Sequence, residues 1–262
     1  MEIRKLQEKA FHNAWRDDLD VSPERTNLIA ANRKWYSIVR SSKAFTEKLL
    51  FGMCKGKKVL DYCCGNGTMS CQIAGMGAAS VTGIDISEIS IQNARRHAIA
   101  EKLDSKTEFL AMDAENMSFP NNFFDVIYEA GVLHHLSLKN AYSELARVLK
   151  PDGECLCVEA LGHNKLAQLY RRRTPSLRTK WETEHILLKK DLDMAKKYFN
   201  KVRILGFFHL SALLAVPFRN TRAFDFILRF FEITDKLILK IPFIRWQAWQ
   251  VIFILAEPKR QG

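Results

Sequence analysis

Short apolar runs near 57–62, 80–85, 106–112, 123–129 and 154–160 predict strands, and the stretches 68–76, 87–101 and 139–149 between them carry helical spacing of apolar positions. Strands that alternate with helices imply right-handed crossovers and a parallel sheet, so the chain reads as an α/β protein. Ser87 predicts a helix N-cap, with Ser90 three residues on and Glu88 supporting the first turn. Ahead of the first strand, residues 1–54 read as a helical segment interrupted at Ser22-Pro23. After Glu159 the rhythm changes to a basic connection over 161–188, a helix over 190–199, and strands over 201–208 and 248–256. The chain thus divides into an N-terminal helical cover (1–54), a core (55–160) and a basic C-terminal part (161–262) that completes the sheet.

The interval between the last two predicted strands, about 210–246, is apolar and far longer than a hairpin needs. Its charges at Asp225, Arg229, Glu232, Lys236 and Lys240 line one face of a helix over 222–241, with Asp225–Arg229 and Glu232–Lys236 as acid-first pairs one turn apart. The remaining arc, with Phe226, Phe230, Phe231, Ile233 and Leu237, is wider than a one-sided surface helix requires. The first reading is a lid that walls an apolar substrate cavity. A membrane-surface contact with Arg219, Arg222, Arg229, Lys236, Lys240 and Arg245, and ordinary packing or dimerisation, are the alternatives.

Charge sharpens this division. Residues 1–160 hold 20 Lys+Arg against 21 Asp+Glu, whereas 161–262 hold 20 against 8, so the whole net charge of +11 comes from the C-terminal part. Its Arg171-Arg172-Arg173 and Arg178 point to an anionic partner: a substrate group, an anionic membrane surface, or nucleic acid. The six cysteines and seven histidines follow no metal-ligand spacing, so no metal is expected and the cysteines read as small core residues of a reducing compartment. No continuous apolar run reaches the roughly 18 residues of a membrane span, and the charged N-terminus is not a signal peptide. The expected location is cytoplasmic, with peripheral membrane contact as the alternative. Nothing in the sequence specifies an oligomeric state.

The chemistry concentrates in Lys58-Val59-Leu60-Asp61-Tyr62-Cys63-Cys64-Gly65-Asn66-Gly67-Thr68, a strand ending in a carboxylate, two glycines, and a helix start. Glycine suits a loop where ligand meets bare backbone and φ turns positive. A second strand ends in Asp85, placed to accept from ribose hydroxyls. The dinucleotide pattern Gly-x-Gly-x-x-Gly is absent, and the strand-tip carboxylate would repel a pyrophosphate while suiting a cationic or amino-bearing ligand.

These motifs resemble those of the class I S-adenosylmethionine-dependent methyltransferases of the small-molecule, type 11-like kind. The resemblance covers roughly 55–160 and runs through Asp61-x-Cys63-x-Gly65-x-Gly67, Asp85, Asp113-Ala114-Glu115, Phe124 to Leu136, and Leu149-Lys150-Pro151-Asp152-Gly153. It implies a three-layer α-β-α, Rossmann-like sheet of seven strands with the last antiparallel, and S-adenosyl-L-methionine as cofactor. Cys63 stands where the family has glycine, and a slightly altered backbone is expected there. The cofactor residues it implies are Asp61, Cys63, Gly65, Gly67, Asp85, Ile86, Asp113, Ala114 and Glu129, with Tyr36 closing over the methionine end. His135 is implied as base or substrate orienter, with His134 as its cofactor-side or structural partner. The expected acceptor is a small apolar molecule with an anionic group, of isoprenoid, quinone, glycolipid or polyketide-like kind. RNA methylation is disfavoured because Tyr128-Glu129-Ala130-Gly131 is not the box used for base amino groups, and no RNA-binding module is appended. A non-catalytic, membrane-associated cofactor-binding module is the remaining alternative.

Overall fold

A computed structural model describes residues 2–16, 30 and 34–260, so the Ser22-Pro23 break lies outside the described residues. Strands β1 (Lys58–Tyr62), β2 (Ser80–Asp85), β3 (Thr107–Ala111), β4 (Phe124–Ala130), β5 (Leu149–Ala160), β6 (Phe199–Phe208) and β7 (Gln250–Pro258) form one sheet in the order β3-β2-β1-β4-β5-β7-β6. The first five run parallel, and β7 is antiparallel to both β5 and β6. Alternate residues of a strand face opposite ways. Leu60, Ile84 and Ile127 therefore pack in one layer with α5 (Leu138–Val148) and α8 (Lys189–Ala195). Val59, Val81 and Val126 pack in the other with α2 (Arg40–Cys54) and α3 (Thr68–Gly75). The central strands are buried on both faces, which explains their continuous apolar runs.

Helix α4 (Glu88–Ala100) begins as expected, with the Ser87 hydroxyl accepting the Ser90 amide at 3.1 Å. Pro151–Gly153 lies within β5, where the register against β4 shifts. Gly153 does not take positive φ; a Cβ there would stand 2.7 Å from a Leu149 methyl and 2.9 Å from the Asp125 carbonyl, so close approach is what demands glycine. All six cysteines are free.

The C-terminal part adds α6 (Lys165–Arg173) and α7 (Lys180–Glu184), and between β6 and β7 a turn of tight helix over 211–218 followed by α9 (Phe224–Ile238). The expected charge pairs along α9 do not form. Asp225 and Glu232 instead reach Arg40 of α2, at 3.0 and 3.1 Å. The inward side of α9 buries Leu228 with Phe224, Ile227 and Phe231 packed beside it. Phe226, Phe230, Ile233 and Leu237 face outward, each at least 60% exposed. No helix among the described residues is long and apolar enough to cross a membrane.

Buried Asp235 fastens this insertion. Its carboxylate accepts the backbone amides of Leu210, Ser211 and Ala212 and the Ser211 hydroxyl, at 2.6 to 3.2 Å. Hydrogen bonds to a charged group contribute about 1.5–3 kcal/mol, and orphaned buried amides add to the loss. Asp235→Ala is expected to destabilise the protein by roughly 3 kcal/mol and to speed hydrogen exchange at residues 210–212. Unchanged exchange there would mean that apolar packing alone holds the segment.

Candidate active site

The C-terminal ends of the parallel strands meet at one edge, where α1 (Ile3–Arg16) lies across them. Here Cys63 takes φ of 59°, Gly65 56° and Gly67 73°. Cys63 keeps the glycine-like turn rather than altering it, at a cost of about 1–3 kcal/mol. The Asp85 carboxylate ties the loop down, accepting the Gly65 amide and the Ser87 amide, both at 2.9 Å.

A cavity of about 800 Å³ opens at this edge. Cys63, Asp85, Ile86, Asp113, Ala114, His134, His135 and Tyr36, each expected at the site, line it. Asp61, Gly67 and Glu129 do not line it. Asp61 is buried and accepts the Ser70 hydroxyl at 2.5 Å, joining β1 to α3, and burial together with the Asp85 charge pushes its carboxyl up to about 6. A Cβ on Gly67 would stand 2.7 Å from that of Ala94, so this glycine serves the packing of α4 as well as its own positive φ. Gly65 lies under Arg16, whose guanidinium stands where a Cβ would go and sits 3.6 Å from Asp85.

Glu129 belongs to a buried pair with Glu159. Burial and the neighbouring Glu159 charge push the Glu129 carboxyl well above its usual range. Burial opposes ionisation of Glu159, but His134 and the Leu133 amide prevail and draw it down to about 2. Glu159 accepts the amides of Val132 and Leu133 at 2.7 and 2.6 Å and pairs with His134 Nδ1 at 2.9 Å. This carboxylate therefore shapes the loop that carries both histidines.

His135 takes its orientation from α1. Its Nδ1 lies 3.0 Å from Glu8 Oε2, and its carbonyl accepts from Arg4 at 2.8 Å. Burial disfavours the Glu8 charge, yet hydrogen bonds from His12 and His135 hold that carboxyl well below its ordinary range. Burial and the His134 charge lower His135 from 6.5, against the pull of Glu8. A neutral His135 donating Nδ1–H to an ionised Glu8 keeps the lone pair of Nε2 for another proton.

The rest of α1 neutralises the strand tips. Arg4 pairs with buried Glu115, and Lys5 with Asp113 at 2.7 Å and Glu115 at 3.2 Å. Burial works against the Lys5 charge, but the two acids outweigh it and raise the ammonium above its ordinary value. None of these α1 partners was singled out from the sequence, since a charged N-terminal helix looks like a solvated one until the acids it covers are known. Glu8, His12 and His135 also bring a carboxylate oxygen and two ring nitrogens within 4.8 Å of one another, as do His134, His135 and Glu182. Such a donor set could hold an ion, although the direct Glu8–His135 hydrogen bond accounts for the arrangement without one.

Leu210, Leu213 and Leu214 from the start of the insertion, with Trp35, Tyr36 and Trp249, form the apolar wall. Tyr36 is 54% exposed, into this cavity, while the surrounding protein and the Glu182 charge raise its phenol. The insertion thus divides its expected roles: its first segment walls the cavity, and α9 does not reach it.

Residues 59–153 match the family described as methyltransferase domain. A sterol 24-C-methyltransferase of Gibberella zeae is 41% identical over 103 residues, 39% of this chain and 27% of that protein. The 27-O-demethylrifamycin SV methyltransferase of Amycolatopsis mediterranei is 34% identical over 99 residues, 37% of this chain and 36% of that one. The match thus spans about a quarter to a third of these relatives' length. A crystal structure of geranyl diphosphate C-methyltransferase from Streptomyces coelicolor, with Mg2+, geranyl diphosphate and S-adenosyl-L-homocysteine, has the same fold (TM-score 0.65, 12% identity, 98% of each chain). The match, the fold and the strand-tip acids give residues 59–153 the character of a class I methyltransferase domain, the kind that uses S-adenosylmethionine.

The site suits that cofactor. Asp85 and Asp113 stand on adjacent strand tips on the cavity wall, and only the end of Arg16 covers the Gly65 backbone. A nucleoside lying on Gly65 requires the end of Arg16 to swing aside, a movement open to a flexible side chain in the last turn of its helix. Replacing Asp85 with alanine removes acceptors for hydroxyls and the tether of the loop. Calorimetry should show cofactor affinity weakened roughly 10- to 150-fold in a folded protein; unaltered affinity would place the nucleoside elsewhere.

Proposed function

We propose that this protein transfers a methyl group from S-adenosylmethionine to a lipophilic small molecule of isoprenoid, quinone, glycolipid or polyketide-like kind. The observation that carries this reading is the single cavity joining Asp85 and Asp113, the histidine pair, and the wall of Leu210, Leu213, Leu214 and Trp249. Two relatives are named for a sterol and a rifamycin, and a largely hydrocarbon molecule such as a sterol agrees with such a wall.

The cofactor supplies a reactive methyl group on a positively charged sulfur and leaves as a neutral thioether. The chain's part is alignment, exclusion of water and removal of a proton from the acceptor. Asp85 and Asp113 hold the nucleoside end, and the apolar wall orients the acceptor. His135 Nε2 takes the acceptor's proton, and Glu8 stabilises the imidazolium that forms. His134, committed to Glu159, holds the loop.

His135→Ala is expected to reduce turnover by about 10²–10⁴ with cofactor affinity nearly unchanged. Because His135 is lowered from 6.5, activity should fall with decreasing pH on a limb below that value. Glu8→Gln removes a partner that favours the charged imidazole, so its limb should move to still lower pH. A loss under threefold in His135→Ala, in a panel assay scoring acceptors that gain one methyl, would make proximity the whole of catalysis.

A second reading rests on α9. With Asp225 and Glu232 paired to Arg40 and Asp235 buried, the helix shows solvent an apolar face and the cations Arg229 and Lys236, neither ion-paired among the described residues. An anionic lipid surface fits that combination and would deliver a lipophilic acceptor. Vesicles containing phosphatidylserine should float with the protein at low salt and lose it at high salt, each nearby cation contributing about 1 kcal/mol. Phe230→Asp should abolish flotation and spare cofactor binding; absence of flotation by the unaltered protein would reduce this face to packing.

A further inference from the structure

The basic run Arg171-Arg172-Arg173 ends α6, and its members separate in the fold: Arg172 and Arg173 are exposed, while Arg171 turns onto the cavity wall. Its guanidinium has no hydrogen bond or ion pair among the described residues, and its Nη1 is closed off from solvent. Beside it on the cavity wall are further buried polar atoms that lack a partner among the described residues, although Arg178 is held by its Nη1 bonds to Arg171 and Thr174. Arg178 Nε, Trp35 Nε1 and Tyr170 Oη are also buried and without a hydrogen-bond partner among the described residues. These groups are neighbours. The Trp35 and Tyr170 rings stand 4.7 Å apart, Arg178 lies 6.0 Å from the Tyr170 ring, and Arg178 Nη1 donates to the Arg171 carbonyl at 2.8 Å.

Native interiors rarely leave buried donors unsatisfied, and a cluster of them on one wall calls for an acceptor. Arginine and tryptophan can only donate, so the wall lacks oxygen lone pairs, not further donors. The carboxylate facing these groups, Glu182, is shared: it lies 3.6 Å from Arg178 Nε, beyond hydrogen-bond length, and 3.9 Å from His134 Nε2. Burial lowers Arg171 from its ordinary value, as expected of a cation whose desolvation is poorly offset. The remaining cavity cations are engaged elsewhere, Arg4 and Lys5 with Glu115 and Asp113, and Arg16 with Asp85.

We infer that Arg171, Arg178, Trp35 and Tyr170 form an anion-binding subsite that holds a carboxylate or phosphate at one end of an otherwise apolar acceptor. The inference rests on the proposed methyl transfer to a lipophilic molecule and names the polar end of that molecule. A planar guanidinium fork suits either oxyanion. Because Glu182 links Arg178 to His134, the anchored end lies along the same wall as the histidine pair. The anion then fixes the acceptor's register, and the apolar remainder lies against Leu213 and Leu214.

The test uses the full chain saturated with S-adenosylhomocysteine and three probes of equal chain length: octyl phosphate, octanoate and octanol. Binding is read by calorimetry and by quenching of tryptophan fluorescence. The unaltered protein should bind at least one anionic probe about tenfold or more tighter than octanol, and the phosphate and carboxylate arms identify which anion fits better. Arg171→Met should bring that preference within about threefold and leave octanol and S-adenosylhomocysteine affinity unchanged. The joint substitution Trp35→Phe and Tyr170→Phe, which keeps the rings and removes two donors, should lower the preference to an intermediate value and decides the matter if Arg171→Met does not fold. Equal binding of all three probes by the unaltered protein, or a preference that survives loss of the donors, overturns the subsite. Failure to bind S-adenosylhomocysteine at all would instead overturn the methyl-transfer reading, so the two failures are distinct.

Discussion

A carboxylate sealed from water stays ionised only while donors surround it, and the architecture of this site follows from how that requirement is met at Glu159. Its oxygens collect two consecutive amides of the β4 loop and the ring of His134. The loop cannot relax without abandoning a buried charge, a loss of several kcal/mol in comparable settings. His134 is therefore a fixture, and His135, next in the chain, is presented to the cavity with its backbone already committed. Glu129 is pushed up beside Glu159 by burial and by the charge of its neighbour, since two adjacent buried carboxyls resist both carrying charge.

The strand tips extend the same constraint outward. A parallel sheet gathers Asp85, Asp113 and Glu115 at one edge, and their mutual repulsion needs cations nearby. Helix α1 supplies Arg4, Lys5 and Arg16, which explains how a charged helix lies across this edge without an extensive apolar face of its own. Its buried side chains are Arg4 and Glu8, both polar. Contacts of this kind weaken with salt more than core packing does.

The sheet was legible because buried parallel strands write themselves as apolar runs, and the strand-two helix start because Ser87 signals its own role. The positions of Cys63, Asp85, Asp113 and the histidines on the cavity followed from motif order alone. Asp61, Gly67 and Glu129 were expected at the cofactor and do not line the cavity, because a motif shows that a residue matters to the loop, not which way it faces. The insertion was read by its charges, which suggested pairs along α9. Arg40, distant in sequence, competes for the acids Asp225 and Glu232 and leaves Arg229 and Lys236 without them. The Glu8–His135 contact spans over a hundred residues, and neither partner advertises it locally.

One helix carries both Arg16, which lies on the Gly65 backbone beside Asp85, and Glu8, which orients His135. Any ligand that displaces the end of α1 shifts the balance of forces at its middle. The two halves of the cavity are then energetically coupled through a rigid rod, and the coupling is reciprocal by thermodynamic necessity. An acceptor that tightens the Glu8–His135 contact must alter cofactor affinity by the same factor by which the cofactor alters its own. Order of binding would then appear as a property of where a single helix sits, with no need for a moving domain.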